Sequence, residues 1–130
     1  MATLTKSQRS VNERTTLIYA AILEDDSDPA VPIALASIDS AQLTLKDVDS
    51  DATINSRSAQ DILNTNNCTI HATTGAIEME FLPADNVIVD TTRGRDAYEE
   101  HEATFDIVYS TTKRLTHTLV IFVKQLRAIT

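Results

Sequence analysis

Two stretches constrain this chain more than any other: AIEMEF at 76–81 and ATFDIVY at 103–109 place an apolar residue at every second position, 77, 79 and 81 in the first and 103, 105, 107 and 109 in the second. Successive side chains of a strand point to opposite faces, whereas the apolar residues of a helix recur every three or four positions. Both stretches therefore predict half-buried strands, with Ile77, Met79 and Phe81 inward in the first and 103, 105, 107 and 109 inward in the second. AQLTLKD at 41–47 repeats the pattern, with 52–57 as its expected hairpin partner. Further strands are expected at 15–23, 68–72, 87–89 and 117–126, and a short edge piece at 31–33, where Pro32 withholds a ladder donor. The segment 58–64 alone has a helical look: Ser58 can cap, Asp61 falls in the first turn, and Ile62 and Leu63 face inward. One short helical turn is expected there, near 59–63. Brief strands with frequent turn signals and no long helix predict an all-β, antiparallel two-sheet β-sandwich.

Turns must be made without the usual residues, since 130 residues include only two glycines and three prolines. Clusters of Asp, Asn and Ser at 25–28, 47–51 and 64–67 are the expected substitutes. The length suits one domain, 14–130, preceded by a polar, unpatterned segment 1–13 read as a flexible N-terminal arm. Cys68 is the single cysteine, so no internal disulfide framework is expected. The chain contains no run of ~18 apolar residues, and its first residues lack the apolar stretch of a signal peptide. A cytoplasm-like compartment is the expected place of synthesis.

Charge is unevenly spread. The net charge is -8, yet residues 15–110 hold four basic residues (Lys46, Arg57, Arg93, Arg95) against eighteen acids. The two ends, 1–14 and 111–130, hold seven basic residues against Glu13 alone. An acidic body argues against nucleic-acid binding, which needs dense Lys and Arg. The absence of Trp weakens any case for a sugar- or base-stacking surface.

No group of residues spells an active site. Asp47, Asp49 and Asp51 open with the spacing of a calcium loop, but Ala52 and Ser58 stand where the loop needs Gly and a bidentate Glu. An acidic hairpin turn is the reading preferred. His71, His101 and His117 are scattered, without metal-ligand spacing. Cys68 and His71, three apart on a strand, face opposite sides and make no nucleophile–base pair. Glu99, Glu100, His101 and Glu102 read as a solvated charge run in a polar loop at 90–101. Gly94 stands alone, so there is no phosphate cradle. Asn67-Cys68-Thr69 spells a glycosylation sequon, which means nothing without a secretory route. No catalytic, cofactor-binding or metal-ligating residue is expected.

Three segments carry a resemblance. INSRSAQDILN at 54–64 resembles the "IINSR-AQDVLN" stretch of a family of small tailed-bacteriophage structural proteins. The strand from Gly75 to Phe81, followed by LPADNVIV at 82–89, resembles that family's strand and "QPADNAIV". VKQL at 123–126 resembles the "VKNL" that ends its closing strand. The order and spacing fit over about residues 10–128. The chain departs from the family in having Met79-Glu80-Phe81 where a Trp is common, and only Phe105 and Tyr109 in a strand that is often aromatic-rich. The resemblance implies an immunoglobulin-like sandwich, similar to the N-terminal domains of phage baseplate upper proteins, with no catalytic residues and no cofactor. It also implies a virion protein, assembled in the host cytoplasm, that binds connector, tail or capsid proteins in several symmetric copies. Neither nucleic acid nor membrane is an expected partner. An accessory of the head–tail connector or neck is the first expectation. The alternative is a baseplate, tail or capsid-surface module recognising a host glycan or receptor. The arm 1–13, the loop 90–101 and the strand 117–127 are the expected contact surfaces. Arg57 is expected to pair with an acid on a neighbouring strand, and Asp85 and Asn86 to form an Asx turn.

Overall fold

The computed structural model describes residues 5–25, 27, 29–92 and 94–126. Among these residues eight strands form two sheets: β1 (Thr5–Asn12), β2 (Leu17–Ile22), β3 (Ile38–Asp47), β4 (Gln60–Asp61), β5 (Cys68–Ile70), β6 (Ala76–Phe81), β7 (Tyr98–Tyr109) and β8 (Lys113–Lys124). The larger sheet has the order β1-β8-β7-β3-β4 and the smaller the order β2-β6-β5. The chain is thus an all-β sandwich. No helix among the described residues is long and apolar enough to cross a membrane.

The alternating stretches form the inner faces. Ala103, Phe105, Ile107 and Tyr109 of β7 and Ala41, Leu43 and Leu45 of β3 are buried, as are Ile77, Met79 and Phe81 of β6 across the core. Phe105 lies at the centre, edge-on to Phe81 (ring centroids 6.4 Å apart) and tilted against Tyr19 (6.2 Å). Cys68 and Ile70 complete the inner face of the small sheet.

Several expectations are corrected. The helical turn near 59–63 is absent: Gln60 and Asp61 pair with Leu43 and Gln42 of β3 as β4. Ala59 and Asn64, at φ 45° and 52°, break the backbone on either side, so Ile62 is buried from a short strand and bend. The two 3-10 turns lie elsewhere, at Leu35–Ser37 and Pro83–Asp85. Residues 52–57 wind back without a regular strand, touching β3 through Ile54 N to Leu45 O (2.9 Å) and Leu45 N to Arg57 O (2.8 Å). No strand forms at 87–89. Strands β7 and β8 each begin several residues earlier than expected, at 98 and 113.

The arm is corrected too, as far as residues 1–13 are described; 1–4 lie outside that range. Residues 5–12 run parallel to β8 from Thr5–His117 to Asn12–Lys124, so not every pair in the sandwich is antiparallel. An edge strand needs no apolar alternation, because it supplies ladder partners to β8 while one of its sides meets solvent. Glu13 is buried at its end and accepts from the Leu126 N–H (2.8 Å). The chain then crosses to the small sheet, held by Asn86, whose carbonyl accepts from Arg14 N (2.6 Å) and whose amide donates to Thr15 O (2.7 Å).

Turn chemistry follows the sequence expectation. Asp51, Asn55, Asn64, Asn66, Asn67 and Asp96 all have positive φ, doing the work that glycine usually does. Gly75 is the exception that only glycine fits: at φ +71° an added Cβ would lie 2.6 Å from the Leu23 carbonyl oxygen.

Candidate functional site

Among the described residues, the buried Asp, Glu and Arg side chains other than Glu13 fall, with His101, into two clusters, and each joins segments far apart in the sequence.

The first cluster joins the two most distinctive segments, 54–64 and 82–89. Asp85 is fully buried and accepts four hydrogen bonds: Arg57 Nε (2.6 Å) and Asn55 Nδ2 (2.9 Å) on Oδ1, Arg57 Nη2 (2.9 Å) and the Leu82 N–H (2.7 Å) on Oδ2. Arg57 is also buried, and its remaining donors reach Gln60 Oε1 (2.6 Å), Asn66 O (3.4 Å) and Asn67 Oδ1 (3.3 Å). A two-pronged guanidinium–carboxylate contact is the strongest form of ion pair, and here the remaining polar valences are filled as well. The acid partner of Arg57 is thus Asp85, which lies in the Pro83–Asp85 3-10 turn and not on a neighbouring strand as expected. Asp85 caps its own turn at Leu82, while Asn86 reaches outward to 14–15.

The second cluster lies on the inner face of the large sheet, where β7 begins. Continuing the alternation of 103–109 back along β7 brings His101 and then Glu99 inward, and both are 0% exposed. Asp47, at the end of β3 and 1% exposed, sits directly opposite His101 in the ladder. One ligand atom from each of the three lies within 4.8 Å of the others. His101 Nε2 contacts Glu99 Oε1 at 2.5 Å. The segment after the Pro83–Asp85 turn covers the cluster, with Val89 N donating to Glu99 Oε1 (2.7 Å) and Asp90 N to Oε2 (2.8 Å). Ser50 holds Asp47 Oδ2 through its backbone N–H (3.1 Å) and hydroxyl (2.6 Å). Asp47 Oδ1 and His101 Nδ1 are buried without a hydrogen-bond partner among the described residues. No lysine or arginine among the described residues pairs with either carboxylate.

The sequence candidates are thereby redistributed. The acidic turn at 47–51 does not converge as a calcium loop: Asp47 points inward, while Asp49 and Asp51 are exposed and Asp51 pairs with Lys46 (2.9 Å). Of the run 99–102, Glu99 and His101 are buried and Glu100 and Glu102 half-buried, so it is the start of a strand and not a solvated loop. The three histidines stay apart. His71 is exposed and accepts from the Thr73 and Thr74 N–H groups. His117 stacks on Tyr19 (5.6 Å) and shares a hydrogen bond with its hydroxyl, and burial lowers its pKa. Cys68 is buried and burial pushes its thiol up to about 12, too high for a thiolate nucleophile at neutral pH.

The cluster of Asp47, Glu99 and His101 was missed because its members belonged to two separate, individually rejected patterns 52 residues apart. The signal that could have found it was the period-two phase of β7 extended toward the N-terminus. Neither a protein-family model nor a curated protein matches this chain.

Proposed function

We propose that this chain is a non-enzymatic structural protein of a tailed-bacteriophage particle, an accessory of the head–tail connector or neck that binds other virion proteins. One observation carries the reading: the segments at 54–64 and 82–89, on which the resemblance rests, meet in the buried Arg57–Asp85 network. Residues that resemble a family's motifs and also lock its core are scaffold residues, so the resemblance is one of architecture. The strand order supports an immunoglobulin-like assignment. Lettering β1 to β8 as A, B, C, C′, D, E, F and G gives sheets BED and GFCC′, with A beside G.

Docking is by surface complementarity and strand addition. Among the described residues β1 pairs only with β8 and β2 only with β6, so each has one edge that no described strand covers. β2 presents Ile18 and Ile22, 60% and 53% exposed, beside Glu78 and Glu80. β1 and β8 bring the basic ends of the chain together on the opposite sheet. β8 itself is flanked on both sides, so of the expected contact surfaces 117–124 offers side chains and no backbone edge.

Quantitative mass spectrometry of purified particles encoded by the same genome tests the proposal. The expected result is this chain at fixed stoichiometry to the portal protein, at about the copy number of a neck ring. Its absence from washed particles would refute the reading.

A further inference from the structure

We propose that Asp47, Glu99 and His101 form a binding site for a single divalent transition-metal ion of the Zn²⁺ class. Three independent features converge on this. The donor set is two carboxylates and one imidazole, the mixed oxygen–nitrogen set that suits zinc and its first-row neighbours; calcium takes six to eight oxygens. The charge is uncompensated, since two buried carboxylates face one imidazole with no basic partner among the described residues, and a dication cancels what two carboxylates carry. Two buried atoms, Asp47 Oδ1 and His101 Nδ1, lack a hydrogen-bond partner among the described residues, although buried polar groups are almost always satisfied.

The surroundings fit a metal site. Zinc–ligand bonds of about 2.0–2.2 Å place the ligand atoms of a tetrahedral ion roughly 3.3 Å apart. Atoms already within 4.8 Å reach that spacing by small side-chain rotations, with the Glu99–His101 contact opening as the ion enters. Each carboxylate is oriented by outer partners, Asp47 by Ser50 and Glu99 by the Val89 and Asp90 amides. Such partners fix ligands in place around bound metals. The ion would tie β3 to β7 and clamp the segment 87–90 over the end of the sandwich. Its role is structural: the three side chains fill three of the four tetrahedral positions, and a water would take the fourth.

The test uses the full chain, stripped with chelator and titrated calorimetrically at neutral pH with Zn²⁺, Mg²⁺ and Ca²⁺. One saturable Zn²⁺ site per chain is expected, with a rise in melting temperature and no saturation by Mg²⁺ or Ca²⁺ at the same concentrations. Asp47→Asn should weaken Zn²⁺ binding about 100-fold or more. Absence of saturable Zn²⁺ binding overturns the proposal. So does undiminished binding by a folded Asp47→Asn, which would place the ion on other groups such as His71. Should Asp47→Asn not fold, His101→Gln replaces it. The Co²⁺ complex of the unsubstituted chain decides independently. Intense visible bands of four- or five-coordinate Co²⁺ support the site, and the pale spectrum of the hydrated ion contradicts it.

Discussion

The two buried ionic clusters differ in how completely they satisfy themselves. At Arg57–Asp85 both carboxylate oxygens are doubly bonded by donors, and the one full positive charge meets the one full negative charge. At Asp47–Glu99–His101 negative charge is in excess, and two atoms have no partner. Burial alone therefore does not tell what a polar cluster is for. A closed network locks the fold and loses heavily when any member is removed. An open one contributes less to the metal-free protein and leaves valence for something outside the chain.

That contrast can be broken at several points. Arg57→Met leaves the Asp85 carboxylate buried without its counter-charge; the unfolding free energy in urea should fall by about 3–5 kcal/mol. Replacing Arg57 and Asp85 together with apolar residues should recover much of this loss, because no stranded charge remains. Gly75→Ala, remote from both clusters, is a packing control: the positive φ and the 2.6 Å approach to Leu23 O should cost about 2 kcal/mol by the same assay. Asp47→Asn in metal-free buffer should cost only about 1 kcal/mol or less, since Asn can still accept from Ser50 and removes an uncompensated charge.

The smallest effect is a pH slope. Burial lowers the His117 pKa below its unfolded value near 6.5, so the unfolded chain binds the extra proton first as pH falls. The His117 contribution is complete above about pH 6.5 and declines as pH drops from there toward the lowered folded value. His117→Gln should flatten the dependence of unfolding free energy on pH across that window, relative to the unsubstituted chain.

Legibility in the sequence followed how directly a residue's burial shows in its polarity. β6 and residues 103–109 of β7 were readable because their inward positions are apolar, and so was the inner face of β3. The start of β7 was not, because its inward positions are Glu99 and His101, which look like a solvent loop until a partner from β3 is placed opposite. β1 was invisible for the complementary reason: a parallel edge strand with TKSQRSVN and one half-buried Val11 has no apolar face to announce it. The segment 58–64 misled because adjacent Ile62 and Leu63 suit a helical face as well as a bend, and the positive φ of Ala59 is unusual for a residue with a Cβ. The Arg57–Asp85 pair was half readable: the arginine was singled out, and only the fold could name its acid.

The most direct measurement is a side-by-side urea unfolding of Asp85→Asn and Asp47→Asn without metal. These are the same chemical change at two fully buried carboxylates. Asp85→Asn should lose at least about 2 kcal/mol more than Asp47→Asn, because only the first abandons a paired guanidinium. Equal losses, or a larger loss at Asp47, would mean that the second cluster is as closed as the first and has no valence to spare.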